Sequence, residues 1–504
     1  MSFTFWIITF LVLNAIHFAG TWKLYKKAGF SPIAALIPFY NIHILLKIIN
    51  RPWWWIFLFF IPVVNNVLII VSWVELIKSF GKTKTQDSVL VVFTLGFYLF
   101  YINYTEDNKY ITERSHEAHT DGGDWISAIV FAVVAATIIR TFAFEAYTIP
   151  TSSMEKSMMV GDFLFVSKMS YGTRVPMTQF SLPLLHDTIP VLGLPAYVKG
   201  PELPYFRFPA LSSIKNNDIV VFNYPMVDAP VDKKTNYIKR CVAIAGDSLQ
   251  VVHGKLLING KEQLLPSDAK AQFTYLVTFK EGTQLRRETL VEKLDITDPI
   301  RPADRSNPNV YAINLTQEKV KVFEQWSVVE SVVQYETPIG EKSWGIFPDT
   351  KNWNADNYGP IYIPKAGVTT PLNTETLPFY ERLITVYEGN TLRVDGDKIF
   401  VNDQEVTSYT FNQDYYWMMG DNRHNSLDSR FWGYVPMNHV VGKPTFIWMS
   451  IKQNVSISKM FRWDRIMTGI SDQGNKTDRK ILVLFLILAS MGANYYFKRK
   501  KKKE

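Results

Sequence analysis

Charge is absent from long stretches of the N-terminal third of this chain. Residues 1–22, 28–46, 52–74, 88–105 and 125–139 contain no Asp, Glu, Lys or Arg. Such runs approach the roughly 17–25 mostly apolar residues that a membrane-spanning helix needs. They predict a helical membrane domain over 1–105, a polar linker over 106–123 and a transmembrane helix over 124–145. Pro and Asn interrupt AALIPFYNIHILLKI and RPWWWIFLFFIPVVNNVLII, the mark of bent or re-entrant helices. A further uncharged run predicts a C-terminal transmembrane helix over 480–497, before a basic tail at 498–504.

The pattern changes from about residue 146. FLFVSKMSYG, NDIVVFNYP, NYIKRCVAIAGD, LQVVHGKLLINGKE, TLRVDGDKIFVNDQEV and YYWMMGDN are short β-branched or aromatic runs bounded by Gly, Asn, Asp and Pro. They predict a mainly-β soluble domain with hairpins at HGKLLINGK and VDGDKIFVNDQ. Its two parts cover 146–264 and 391–470, separated by an inserted, mostly-β subdomain at 265–390. Residues 177–214, rich in Pro and Leu, read as an irregular apolar excursion suited to a bilayer surface. The fold class expected is therefore an N-terminal helical membrane bundle, a mainly-β domain with an insertion, and a C-terminal transmembrane helix.

Composition changes this picture little. An apolar fraction of 47% is ordinary for a globular protein, so the distribution carries the membrane argument. The formal charge of +8 is partly local, in Lys498-Arg499-Lys500-Lys501-Lys502-Lys503. A basic cluster abutting a span holds that end in the cytoplasm, and nucleic-acid binding is not expected. With the tail inside and one terminal span, the β domain lies outside. Lys23, Lys26, Lys27, Lys78, Lys82 and Lys84 mark further basic loops that do not all fit this orientation. The first run lacks a basic start and is followed by others, so it reads as a retained span and not a cleaved leader. Cys241 is the only cysteine, which excludes an intrachain disulfide. No Cys/His cluster has zinc spacing, so no structural or catalytic zinc is expected, and the serine chemistry considered below requires no metal or organic cofactor.

Candidate chemistry begins where the fifth run ends, in IPTSSMEKSMMVGDFLFVSK, residues 149–168. A serine hydroxyl is a weak nucleophile until a base takes its proton. Three bases are available. Ser153-Met154-Glu155-Lys156 is an S-x-x-K, although the companion S-D-N and K-T-G motifs are absent. His424 in GDNRHNSLDSR is a second base, with Asp421 or Asp428 to orient it. Lys239 in NYIKRCVAIAGD is the third. As a strand, this segment places Tyr237, Lys239 and Cys241 on one face and Ile238, Arg240 and Val242 on the other. Desolvation disfavours a charged amine, so a lysine withdrawn from water can act as a base near neutral pH. A lysine reaching solvent from an edge strand is the competing reading.

Taken in order, IPTSSMEKSMMVGDFLFVSKMSYG, NDIVVFNYP with NYIKRCVAIAGD, and GDNRHNSLDSRFWGYVP with IWMS resemble the bacterial type I signal peptidases. These are Ser/Lys serine proteases of peptidase family S26, with a characteristic β fold. The resemblance implies Ser153 as nucleophile and Lys239 as general base. It implies an oxyanion hole made by the Thr151 hydroxyl and the Ser153 N–H. It implies Ser426 as the hydroxyl that orients the lysine, and Asp428, Arg430 and Arg240 as structural support. The implied substrates are signal-peptide-bearing preproteins cut after small residues. The implied location is a bacterial cytoplasmic membrane, multi-pass, with the catalytic domain outside. Met158, Met159, the 177–214 excursion and Phe461-Arg462-Trp463 would then form an interfacial apolar surface. Ser152 stands where the family often has Gly, Lys156 near a frequent Pro, and His424 where an acidic residue is common. The first hundred residues resemble a small membrane domain of unknown role fused to bacterial enzymes. Two other readings remain open: an acyl-hydrolase using Lys156 or His424, and a non-enzymatic membrane scaffold for exported proteins.

Overall fold

Prolines decide how the apolar N-terminal third folds. In the computed structural model, which describes residues 3–105, 108–114, 121–200, 202–267, 269–283, 286, 289–290, 294, 296–303, 306–452, 455 and 457–470, seven helices precede the first strand among the described residues. They are α1 (Phe3–Lys27), α2 (Tyr40–Ile48), α3 (Trp55–Leu58), α4 (Val64–Ser79), α5 (Thr85–Phe93), α6 (Tyr98–Thr105) and α7 (Asp121–Phe142). Proline lacks the N–H that a helix interior requires. Pro32 and Pro38 therefore cut the 28–46 run into a single 3₁₀ turn (Pro32–Ala35) and the nine-residue α2. Pro52 and Pro62 cut the 52–74 run into the four-residue α3 and the 16-residue α4. Among the described residues, only Thr4–Lys27 and Gly122–Phe142 are long and apolar enough to cross a membrane alone. Thr85–Phe93 and Tyr98–Thr105 are bent by 118° and would count as a third span if taken together. Not every uncharged run in the described residues thus forms a helix long enough to cross alone. The expected terminal helix at 480–497 and the basic tail lie outside the described residues.

Two compact units emerge. The first holds the described residues up to Ala143, with Arg174–Phe208 and Ala229–Lys234. Leu24, Ile44, Leu46, Ile48, Leu76 and Ile102 form its core. Asn103 stitches α6 to α1, its side-chain carbonyl accepting from the Lys23 and Leu24 N–H groups at 3.0 and 3.2 Å. Most of the irregular excursion belongs to this unit as an open ribbon, closed by isolated bridges at Arg174–Arg207, Thr178–Glu202, Ser181–Tyr197 and Thr188–Pro195. The Asp232 carboxylate accepts from the Met177 and Thr178 N–H groups and from the Thr178 hydroxyl. The tip of the ribbon leaves Val191, Leu192 and Leu194 exposed.

The second unit begins with β1 (Phe144–Thr148), one residue after α7, so that helix ends before the expected residue 145. β2 (Asp162–Ser167), β3 (Ile219–Asn223) and β4 (Asn236–Ala243) follow. Next come β5 (Ser248–Val252), β6 (Lys255–Ile258) and β7 (Lys261–Glu262), an antiparallel meander turning at positive-φ Gly254 and Gly260. Then the chain forms β8 (Gln272–Phe279), β9 (Arg301–Pro302), β10 (Val310–Thr316), α8 (Gln317–Glu324) and β11 (Val329–Gln334). β12 (Tyr358–Tyr362), β13 (Thr369–Pro371) and α9 (Leu377–Arg382) precede the β14 (Leu392–Asp395), β15 (Lys398–Val401) and β16 (Gln404–Val406) meander. The last elements are β17 (Ser408–Thr410), β18 (Tyr415–Met419), α10 (Ser429–Trp432), β19 (Val435–Pro436), β20 (Val440–Ser450) and β21 (Thr468–Gly469).

The site rests on an eight-stranded sheet of order β1-β2-β20-β3-β4-β18-β19, with β21 on β20. Its neighbours are antiparallel. β4 is therefore central, flanked by β3 and β18. Alternation along β4 sends Tyr237 and Cys241 into one apolar cluster and Ile238 and Val242 into others. Within 265–390 the chain contributes three sets of strands, the smallest being β13, which pairs with β17. β11-β8-β10-β9 is a separate sheet backed by α8, with its own core of Tyr275, Val277, Phe279, Ile313, Leu315 and Phe323. β12, further on, instead joins β5-β6-β7 and the core around Trp417.

Candidate active site

Ser153 lies in a 3₁₀ turn, Ser152–Met154, that the chain makes between β1 and β2. Thr151 leads into it with extended backbone (φ −127°, ψ 155°), and its exposed side chain makes no capping hydrogen bond. Met154 anchors the turn, fully buried with Ile149, Met158, Leu164, Ile219 and Ile447. Burying one such side chain is worth about 1.5–3 kcal/mol. The far end of the loop is tied by the Met159 N–H to Asp162 (2.8 Å) and by Arg465 to the Ser157 carbonyl (3.1 Å). Met158 and Met159 are both buried, so they do not contribute to the expected apolar surface. Trp463 is exposed.

Lys239 reaches this turn from the middle of the sheet. Its Nζ is 2.6 Å from Ser153 Oγ and donates to the Ile238 carbonyl at 3.1 Å. Lys239 is 3% exposed and Ser153 8%. A solvent-seeking lysine on an edge strand does not fit, because β4 has neighbours on both sides. Burial lowers the lysine pKa from 10.5 to about 8, against the opposing pull of the Asp428 and Asp421 carboxylates. The amine is thus close to shedding its proton, and the hydroxyl is the group it touches.

Both carboxylates are neutralised elsewhere. Asp428 binds Arg430 through two parallel hydrogen bonds, Nε to Oδ1 and Nη2 to Oδ2, each 2.8 Å. Asp421 binds Arg240 the same way at 2.8 and 2.6 Å. All four side chains are buried. Burial alone would raise the two carboxylates, but the guanidinium partners outweigh it and hold both below the ordinary range. Asp428 also accepts from the Gly420 N–H at 3.0 Å, which fixes the loop beside the serine. Arg240, expected as support, is the next residue after Lys239 along β4, and Arg430, likewise expected, lies in α10.

The Ser426 hydroxyl, expected to orient the lysine, is buried and makes no hydrogen bond to Lys239. It faces Gly420, and the nearby Asp428 carboxylate is stabilised by it. Lys156 is turned by a positive φ of 70° and pairs with Glu155 at 3.8 Å. His424 is fully engaged: the Thr274 N–H donates to Nδ1 at 3.0 Å, leaving Nε2–H to bond Asp356 at 2.7 Å. Its carboxylate partner is Asp356, neither Asp421 nor Asp428, because those two hold arginines. Of the three bases, only Lys239 meets the serine. Among the described residues no group of three or more His, Cys, Asp or Glu is arranged to hold a metal ion.

Sequence reasoning missed the groups that hold the turn. The Asn422 N–H donates to the Ser153 carbonyl (3.1 Å) and the Asn422 side chain to the Ser152 carbonyl (3.1 Å). The Asn425 side chain donates to the Ser152 hydroxyl at 2.9 Å. The density of turn-forming Asn and Asp in GDNRHNS is the signal that could have pointed there. Gln272, Thr297 and Asp298, which also reach this loop, carry no signal in the sequence.

Comparison with known proteins points to a peptidase family. Residues 123–302 and 402–449 match the family described as signal peptidase, peptidase S26. Residues 33–113 match a family of unknown function, DUF5684. The chain is 25% identical over 400 residues to a signal peptidase I of Buchnera aphidicola from Schizaphis graminum, covering 77% of this chain and 89% of the relative. It is 25% identical over 366 residues to signal peptidase I of Haemophilus influenzae, covering 70% and 77%. It is 23% identical over 368 residues to signal peptidase I of Helicobacter pylori strain 26695, covering 69% and 91%.

Proposed function

We propose, from the premise that this chain is a serine peptidase similar to the type I signal peptidases, that Ser153 and Lys239 form its catalytic dyad. Its substrates are signal-peptide-bearing preproteins, cut at the outer face of a bacterial cytoplasmic membrane. The observation that carries this reading is the 2.6 Å contact between a desolvated amine and the Ser153 hydroxyl.

Neutral Lys239 takes the Ser153 proton as Oγ attacks the scissile carbonyl. The Ser153 N–H and Thr151 hydroxyl stabilise the oxyanion, a kind of donor worth about 2.7–4 kcal/mol each in a measured protease. The lysine ammonium then protonates the leaving amine, the C–N bond breaks, and the mature protein departs. A water deprotonated by the same lysine hydrolyses the acyl-serine and frees the signal peptide. By the resemblance Ser426, whose hydroxyl lies over Gly420 beside the Ser153 carbonyl, turns to hydrogen-bond and orient the lysine amine during the reaction.

Incubating the purified protein with a preprotein and resolving the products tests this. Ser153→Ala and Lys239→Ala are expected to abolish the shortened product, while Lys156→Ala and His424→Ala retain it. Cleavage by the Lys239 variant would remove the dyad. Loss in the Lys156 or His424 variant alone would favour the acyl-hydrolase reading.

A further inference from the structure

A carboxylate from outside the central sheet holds the nucleophile turn. Asp298 is buried in the segment between β8 and β9. Its Oδ2 accepts from Asn422 Nδ2 at 2.5 Å and its Oδ1 from Asn425 Nδ2 at 3.2 Å. The second hydrogen of each amide goes to the same residue, Ser152. Asn422 donates to its carbonyl at 3.1 Å and Asn425 to its hydroxyl at 2.9 Å. A carboxylate only accepts, so it fixes the orientation of both amides, and each must present its nitrogen to Ser152. Asn314, on β10, gives Asp298 a third donor at 3.0 Å and ties it to the separate sheet. Two more contacts from the same side reach the next residues. Thr297 Oγ1 donates to Glu155 at 2.7 Å, and the Lys270 N–H donates to the Ser157 hydroxyl at 3.0 Å.

We propose that Asp298 is a positioning residue for peptide cleavage: through Asn422 and Asn425 it sets the Ser152–Ser153 turn so that Oγ faces the Lys239 amine. This rests on the Ser153/Lys239 reading. It gives the β8–β11 layer a part in catalysis through the strap that carries Thr297 and Asp298. It also gives the Ser152 hydroxyl a use that a glycine there cannot supply.

The donor pattern supplies the test. Asp298→Asn puts one N–H₂ against an asparagine N–H₂, so one bridge must break. Adding Asn425→Asp restores complementarity, because the carboxylate introduced on the loop accepts from the amide introduced on the strap, and the Ser152 hydroxyl turns to donate. We would measure kcat and KM of the full-length protein in detergent with a preprotein, melting temperature, and amide exchange in residues 149–160. Misplacing a reacting atom by even 1 Å costs roughly a hundredfold, so Asp298→Asn is expected to lower kcat about ten- to hundredfold with KM little changed. Exchange at 149–160 should quicken while the melting temperature barely moves, and the double variant should recover most of both. Unchanged kcat and exchange in Asp298→Asn, or a double variant no better than the single, would overturn the proposal. If Ser153→Ala cleaves as well as the parent, the dyad reading fails, and the exchange data still decide whether Asp298 holds the turn.

Discussion

At the scale of the residue, the decisive quantity is the proton affinity of one amine. Lys239 holds its proton with a pKa of about 8 in the fold, against 10.5 ordinarily. The base is the neutral form, so kcat/KM should rise with pH and level off above a midpoint near 8, as a pH–rate profile will show. Stability follows the same sign. Between about 8 and 10.5 the unfolded chain binds a proton that the folded chain has released, so stability rises with pH across that window. Below it, the burial of a charged amine is a constant cost to the fold. The sequence placed Lys239 on a strand among apolar neighbours, and that much was legible because strand alternation is local. The distance to Ser153 was not, since the two residues meet only after the sheet assembles. Nor did the motif reveal that His424 spends both ring nitrogens on Thr274 and Asp356, partners 150 and 68 residues away.

At the scale of the element, the loop from β18 to α10 does the assembling. A Cβ at Gly420 would lie 2.2 Å from Ser426 Oγ and 2.5 Å from the Ser153 carbonyl. Overpacking of this kind costs typically about 1–3 kcal/mol. Gly420→Ala is therefore expected to lower both the melting temperature and kcat, by calorimetry and preprotein cleavage, because the carbonyl that must shift belongs to the nucleophile. Asp428 caps α10, with its side chain accepting from the Arg430 N–H, and neutralises the Arg430 guanidinium. Asp428→Ala leaves that cation buried without its partner, a loss of about 3–5 kcal/mol, measurable by denaturant unfolding. The strands themselves were readable, because they are short β-branched or aromatic runs bounded by turn residues. What 265–390 does was not: β8–β11 close over their own core while β12 joins the β5–β7 sheet, a choice made by long-range packing.

At the scale of the whole molecule, the apolar runs were easy to see and their number of crossings was not. Counting uncharged residues ignores Pro32, Pro38, Pro52 and Pro62, which leave Thr4–Lys27 and Gly122–Phe142 as the two long apolar helices among the described residues. The proposed orientation places the start of α7 inside and the β domain outside. Cys241 is fully buried and burial raises its pKa well above the ordinary value, so in the folded protein it gives a quiet background for thiol labelling. Ser408→Cys, on exposed β17, should react with an impermeant maleimide in intact cells, and Gly122→Cys only after permeabilisation. The opposite pattern would invert the topology. Timing is set by the same bridges that hold the serine. Ser153 leaves the ribosome long before Lys239, and its turn is pinned only when Asn422 and Asn425 arrive. A nascent chain therefore carries its nucleophile unarmed until a segment 270 residues further along has been made.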